Sequence, residues 1–393
     1  MNDPIVIVSA ARTPMGSFQG ELKQFAAAEL GAAAIRAAVE RAKIKPEQVD
    51  EVIMGCVLPA GQGQAPARQA SLGAGLPFAT GCTTINKMCG SGMKAAMLAH
   101  DLLVAGTNDI MVVGGMESMS NAPYLLLKAR GGYRLGNGQL LDHMFYDGLE
   151  DAYEKGRLMG SFAEDCAAKY AFTRAEQDKF ALASLERAQA ANKNGSFAWE
   201  ITPMAIKAGK NERFMEMDEE PFKANFDKIP GLNPAFKKDG TITAANSSSI
   251  SDGGAALVMM RRSMAEKLGR APLAIVVGHS THAQEPGWFT TAPVGAIRKL
   301  YDKTGWSTGT VDLYEINEAF AVVTMAAMKE HGLAHEKVNI HGGACALGHP
   351  VGASGARIVV TLIGALRKTG GKRGIASLCI GGGEATAMAI ELV

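Results

Sequence analysis

The chain carries almost no excess charge of either sign: 40 Lys and Arg stand against 39 Asp and Glu, a formal net charge of +1. Without a one-signed field, electrostatics gives no reason to expect nucleic acid or an anionic membrane as the main partner. Cysteine is scarce. Six thiols in 393 residues (Cys56, Cys82, Cys89, Cys166, Cys345, Cys379), with no C-x-x-C pair, are too few for a disulfide scaffold. A reducing, cytoplasmic setting fits that usage. Long apolar runs are also missing. The longest, residues 319–328 and 358–363, are each broken by one Thr and fall well short of the roughly 20 residues a membrane span needs. The opening Met1-Asn2-Asp3-Pro4, followed by the apolar residues 5–8, lacks the basic flank and long apolar stretch of a signal peptide, so no export is expected.

What the chain has in plenty is glycine, 46 residues, well above the usual roughly 7%. At 393 residues it is long enough for two or three domains and a sizeable core. Short, mostly apolar β-branched runs at 5–8, 52–54, 110–113, 273–277, 313–316 and 375–380 are separated by Ala-rich helical stretches such as 25–43. Strands of that kind are buried on both faces, which gives an α/β layered fold. Between about 121 and 246 the composition turns polar, aromatic and Gly/Pro-punctuated. One strong helix is expected there, over 174–192, within a long excursion carrying substrate contacts. The two ends resemble each other. Cys89-Gly-Ser-Gly-Met-Lys leads through a helix to 110–113 and Gly114-Gly-Met-Glu117. Val351-Gly-Ala-Ser-Gly-Ala-Arg357 leads likewise to 375–380 and Gly381-Gly-Gly-Glu384. Two correspondences in the same order suggest duplicated halves packed together.

Several residues can carry chemistry. Cys89 sits in Asn86-Lys-Met-Cys-Gly-Ser-Gly92, a Gly-rich turn before a helix over 93–104. Unsatisfied N–H groups and the positive dipole end favour the thiolate there, while a buried structural thiol is the plain alternative. His349 lies in a stretch, 342–355, whose five glycines and proline argue for a loop. Followed by Pro350, it suits a base that takes a thiol proton; a hydrogen-bonded loop histidine is the plain alternative. His341, Cys345 and His349 recur at intervals of four, but Gly342, Gly343 and Gly348 argue against one helical face and no carboxylate is near, so no metal site is expected. Cys379 ends a strand run and opens a glycine turn whose N–H groups can face an oxyanion. Asn317, ahead of a helix over 319–329, reads as an N-cap or as an amide that orients a water.

Together these blocks match one family in order and spacing across essentially the whole chain. From Ala11-Arg-Thr-Pro14 through Asn86–Gly92, Gly114-Gly-Met-Glu-Ser-Met-Ser120, Asn317-Glu-Ala-Phe320 and Gly348-His-Pro-Val-Gly-Ala-Ser-Gly-Ala-Arg357 to Cys379-Ile-Gly-Gly-Gly383, the sequence resembles the thiolases. The resemblance implies a five-layered αβαβα fold of two similar halves: residues 1–120 with 250–270, an inserted loop domain over 121–249, and residues 271–393. It implies that Cys89 becomes acylated, that His349 activates its thiol, and that Cys379 moves protons at the second substrate. It further implies two oxyanion holes, one at His349 with a water on Asn317, the other at the N–H groups of Cys89 and Gly381. The substrates are then acetyl-CoA, 3-ketoacyl-CoA and CoA, with no metal or other cofactor, and the assembly a homodimer or homotetramer. Leu149, Ser248, Ala319 and Phe320 match pantetheine-contact positions, with Ala245 and Ser249 standing where glycines are usual. Lys207, Lys210, Arg213, Lys223 and Lys228 are candidates for the nucleotide phosphates. Two features bear on chain length: Leu158-Met-Gly160 replaces the His-Met-Gly of the short-chain biosynthetic type, whereas Gly131-Gly-Tyr-Arg-Leu-Gly136 resembles that type's tetramerisation loop. Acetyl-CoA C-acetyltransferase activity is expected, ahead of a broader 3-ketoacyl-CoA thiolase. A cysteine hydrolase built on Cys89 and His349, or an acyl-CoA-binding scaffold without chemistry, would be the alternatives from other classes.

Overall fold

A computed structural model describes residues 3–209 and 211–393. In the first half, strands β1 (Ile5–Arg12), β2 (Glu51–Gly55), β3 (Gly81–Ile85), β4 (Ile110–Ser118) and β5 (Ser251–Arg261) alternate with helices α1 (Ala27–Ala42), α2 (Pro66–Gly73) and α3 (Ser91–Ala105). Helices α4 (Met159–Tyr170) and α5 (Arg174–Lys193) belong to the excursion. The second half supplies β6 (Ala274–Ala283), β7 (Leu313–Ile316), β8 (Arg373–Ile380) and β9 (Glu384–Leu392), with α6 (Ala292–Thr304), α7 (Ala321–His331) and α8 (Val351–Thr369).

The strands form two sheet layers, one per half, hydrogen-bonded edge to edge into a continuous ten-stranded order β7-β8-β9-β6-β1-β5-β4-β2-β3, with Gly16–Ser17 added beside β5. The duplication is legible in the pairing. In the first half β2 runs parallel to β4, β4 antiparallel to β5, and β5 antiparallel to β1. In the second half β7 runs parallel to β8, β8 antiparallel to β9, and β9 antiparallel to β6. Within the sheet, the described residues pair the halves through Val6 with Ile275 and Ile7 with Ala274.

Side-chain alternation divides the core into layers. Val6, Val8, Val52, Met54, Val112 and Val258 face α1, whose Leu30, Ala34, Ile35, Ala38 and Val39 recur at helical spacing. Ile5, Ile7, Met111, Val113 and Leu257 point the other way, onto α3 and α8. The second sheet repeats this: Ala376, Leu378, Met388 and Ile390 face α8, while Ile375, Ala387 and Ala389 face α6. The result is helix, sheet, helix, sheet, helix. Every residue of α8 from Val351 to Leu366 is buried, as a helix sandwiched between two sheets must be.

Three strands escape the hydrophobic pattern: β3, which is short and lies on an edge, β5, which starts Ser-Asp-Gly-Gly-Ala-Ala, and β9, which starts Glu-Ala-Thr-Ala. Small residues there admit close neighbours instead of advertising a strand. The stretch 342–355 is not the expected loop. A helical turn, Ala344–Leu347, precedes Gly348, and α8 begins directly after Pro350. Its glycines serve helix packing. A Cβ on Gly92 of α3 would lie 2.7 Å from the backbone nitrogen of Ala356, and one on Gly355 would strike the backbone of Met93. The excursion holds a second helix, α4, beyond the expected one. Among the described residues, no helix is long and apolar enough to cross a membrane.

Candidate active site

Cys89 occupies a tight turn between β3 and α3. Met88 is held in the left-handed region at φ 47°, with its N–H bonded to Asn86 Oδ1 at 2.8 Å. Ser91 Oγ closes the turn, accepting from Lys87 N at 2.8 Å and donating to the Met88 carbonyl at 2.6 Å. Gly90 admits Ile380 of the other half, which a Cβ would strike. The Cys89 turn therefore meets the second half directly, and the backbone N–H groups of Gly381 and of Cys89 itself act on the thiol to lower its pKa. Burial pushes this thiol up to about 11 in spite of those two donors, with Glu117 contributing further. This reverses the expectation of a resting thiolate: desolvation outweighs the helix N-terminus, and the thiol needs a base.

His349 provides the means. It is buried, and its backbone N–H bonds to the Ser249 carbonyl at 3.0 Å. Its Nδ1 lies 2.6 Å from Ser354 Oγ, which donates its own hydrogen to the Pro350 carbonyl at 3.0 Å. The hydroxyl is thus left to accept, Nδ1 carries the proton, and Nε2 presents a lone pair with no protein partner. Burial, with the positive charge of Arg357, lowers the imidazole to about 3, so it stands neutral and ready to accept a proton.

Asn317 does not cap α7, which starts at Ala321 with Phe320 in the capping position. It sits in the β7–α7 loop, 1% exposed, and neither its Oδ1 nor its Nδ2 bonds to the protein. An amide in that condition is suited to orient a small polar group. The segment 246–249 ties this loop to His349: the Ala321 N–H reaches Asn246, the Ser248 N–H reaches Ala319 at 3.0 Å, and Ser249 holds His349. Cys379 is fully buried at the end of β8, among Phe162, Ala319, Phe320 and Met159. Burial pushes its thiol well up, and the Cys89 thiol adds to that shift, so the two thiols sense each other. The turn Gly381–Gly383 has φ of 93° at Gly382 and 87° at Gly383. Gly114–Glu117, its counterpart in the sequence repeat, lies inside β4 instead.

Beside His349 opens a cleft of about 530 Å³, lined also by Leu149, Ser248 and Phe320, together with Phe145, Leu158, Met159 and Phe236. Ala319 lies behind it, buried, its carbonyl taking the Ser248 N–H. The departure at Ser249 adds a bond, its hydroxyl donating to Glu220 at 3.1 Å. Of the basic candidates, Lys223 lines the cleft, paired with Glu219 at 2.5 Å. Arg213 pairs with Glu21 at 3.0 Å, and Lys207 shares its hairpin. Lys228 lies in the turn Phe226–Gly231, and Lys210 falls outside the described residues. The series His341, Cys345, His349 does not converge on a metal. His341 packs edge-on against Phe197, and Cys345 bonds to the Glu318 carbonyl.

Two residues escaped the sequence reading. Ser354 needed only the recognition that α8 starts at Val351, which puts it one turn along and beneath the imidazole. Glu117 closes the repeated block Gly114–Glu117, but that block gave it no role. Fully buried, it accepts from the N–H groups of Val57, Leu58 and Gly352 and from the Cys56 thiol. It pins the start of α8 to the loop beside Cys89. Burial raises its carboxyl to about 7 against those donors.

Comparison with known proteins agrees along the whole length. The thiolase N-terminal domain profile matches residues 5–263, and the thiolase C-terminal domain profile residues 270–392. An acetyl-CoA acetyltransferase of Arabidopsis thaliana is 50% identical over 99% of this chain and 97% of its own. One from Schizosaccharomyces pombe is 48% identical over 100% of both. The crystal structure of the Bacillus anthracis acetyl-CoA acetyltransferase superposes with a TM-score of 0.96 at 41% identity, covering 100% of this chain and 99% of that one. A thiolase from Ascaris suum in complex with coenzyme A gives 0.94, also at 41% identity, over 99% of this chain and 100% of its own. Two thiolase profiles that together span residues 5–263 and 270–392, with relatives about half identical from end to end, settle the family: the chain belongs to the thiolases.

Proposed function

We propose that this protein is an acetyl-CoA C-acetyltransferase that joins two acetyl-CoA molecules into acetoacetyl-CoA and CoA and runs the reverse thiolysis. The observation that carries this reading is the close packing of Gly90, beside Cys89 in the first half, on Ile380, beside Gly381 in the second, which puts the Gly381 N–H by the thiol. It makes nucleophile and glycine turn one site.

In the first step Cys89 Sγ attacks the thioester carbonyl while His349 Nε2 takes its proton. The developing oxyanion faces the N–H groups of Cys89 and Gly381. The C–S bond to CoA breaks, Cys379 protonates the departing sulfur, and Cys379 is left as a thiolate. In the second step that thiolate removes a methyl proton from a new acetyl-CoA. The enolate oxygen is held by the now protonated Nε2 and by a water on the Asn317 amide. The carbanion attacks the acyl carbon, Cys89 leaves as thiolate, and His349 returns its proton. Both sulfurs and the imidazole end as they began. The cycle uses only coenzyme A thioesters and CoA, with no metal or further cofactor.

Leu149, Ser248, Ala319 and Phe320 form the pantetheine side of the cleft. The domain division follows the same reading: 1–120 with 250–270, a loop domain over 121–249, and 271–393. A homodimer or homotetramer in the cytoplasm completes it. Supporting assembly, Leu135 is 96% exposed in a segment where Tyr124, Leu127 and Leu140 also face outward.

One observation favours a second reading, a broader 3-ketoacyl-CoA thiolase: Leu158 lines a cleft that is already mostly apolar. Steady-state thiolysis of 3-ketoacyl-CoA substrates of increasing chain length decides between the two, because kcat/KM reports discrimination. A maximum at the shortest substrate supports acetoacetyl-CoA chemistry. Values that stay level or rise with length overturn it in favour of general ketoacyl-CoA degradation.

A further inference from the structure

A cluster that the catalytic cycle does not use lies between α3 of the first half and β6 of the second. His100 and Asp101 lie in the last turns of α3, and His279 lies on β6. Asp101 Oδ1 is 3.0 Å from His100 Nδ1 and 2.9 Å from His279 Nε2, and one donor atom from each residue falls within 4.8 Å of the others. The imidazoles stand edge to face, 5.0 Å between centroids. The His side chains are largely shielded, at 20% and 15% exposure, while Asp101 opens to solvent at 57%.

We propose that His100, Asp101 and His279 bind a divalent transition-metal ion of the zinc class, clamping α3 of the first half to β6 of the second. Two imidazole nitrogens and one carboxylate oxygen are the donor set such ions select, whereas calcium and magnesium demand oxygen. Tetrahedral coordination at 2.0–2.2 Å places donors about 3.4 Å apart. The two His–Asp distances open by a few tenths of an ångström to reach that, the two imidazole nitrogens, within 4.8 Å of each other, adjust to the same spacing, and each imidazole moves its proton to the opposite nitrogen. The fourth position belongs to water, on the exposed Asp101 side. The C-terminal end of α3 adds favourable dipole potential. One cation opposes the site, Lys303, but its ammonium is engaged by the His279 carbonyl at 2.9 Å. At their junction the halves share one strand pair, β1 with β6, over two residue pairs, so a tie between α3 and β6 adds a cross-link beside this short join.

The test uses the whole purified chain, freed of metal by a chelator and titrated with zinc by calorimetry and with cobalt(II) by visible absorption. The account expects one equivalent of either ion per chain. Cobalt should give ligand-field bands without the intense thiolate charge-transfer absorption that binding at cysteine would bring. Zinc should raise the melting temperature by about 2 °C or more. Binding should disappear in His279→Ala and His279→Gln and weaken at least about tenfold in Asp101→Asn. All three variants should keep wild-type thiolysis, which shows that they fold. No binding by the wild-type chain, a thiolate charge-transfer band, or binding that survives in the His279 variants overturns the proposal.

Discussion

Replacing Ser354 with Ala probes the base without touching any reacting atom. In the folded protein Ser354 Oγ accepts the Nδ1 proton of His349 at 2.6 Å. When Cys89 hands its proton to Nε2, the imidazole becomes a cation and that bond becomes charge-assisted, worth about 1.5–3 kcal/mol. The variant leaves Nδ1–H without its acceptor at the moment the charge forms. Acylation should slow by about 10- to 150-fold. The loss belongs in kcat and kcat/KM with KM little changed, because the hydroxyl supports the imidazole and not the thioester. Rapid-mixing measurement of CoA release during single-turnover acetylation reads this step. Ser354→Thr, which keeps the hydroxyl, should recover most of the rate. A Ser354→Ala rate within about twofold of wild type, with fold intact, would refute the assignment of Nε2 as the base oriented through Nδ1.

Other outcomes follow from the same site. Cys89→Ala should abolish acyl transfer, whereas Cys379→Ala should still be acetylated by acetyl-CoA yet lose at least about 100-fold in condensation, measured as acetoacetyl-CoA formed. Condensation near wild type in Cys379→Ala would remove its proton-transfer role. Leu158→His, which sets a polar group on the apolar cleft wall, should raise the preference for four-carbon over six-carbon ketoacyl-CoA by about tenfold in kcat/KM; an unchanged ratio separates Leu158 from chain-length choice. Burial raises the Glu315 carboxyl to about 8, with Arg357 opposing the shift. The fold holds a proton there that the unfolded chain has released, so the residue's contribution is complete below its unfolded value and lost as pH rises toward 8. Glu315→Gln should therefore gain on wild type between pH 5 and 8, by up to about 1.4 kcal/mol per pH unit, in chemical denaturation. A difference that stays flat or reverses contradicts that sign.

Which parts of the molecule were legible follows from where the physical signal lies. Both-face-buried strands such as β1, β4, β7 and β8 show as short apolar runs, because their surroundings demand bulk. Where a neighbouring backbone comes close, as along β5 and at α8, the sequence turns to Gly, Ala and Ser and imitates a loop. The thiols, His349 and Asn317 stand out by chemistry, and Cys89, Cys379 and Gly381 do come to one face. Their states were less readable. The helix N-terminus at Cys89 suggested a thiolate, but the desolvation that outweighs it depends on the second half folding over the turn. Glu117 gathers its donors from Val57, Leu58 and Gly352, far from it in sequence, so the block that contains it could not announce its role.

The central claim is that Cys89 carries the acyl group. Incubating the protein with acetyl-CoA, quenching in acid and locating the modification by peptide mass spectrometry tests it most directly. The account predicts one acetyl group, on the peptide bearing Cys89, released by added CoA. Acetylation of another residue, or free acetate with no protein-bound acetyl group, would contradict it.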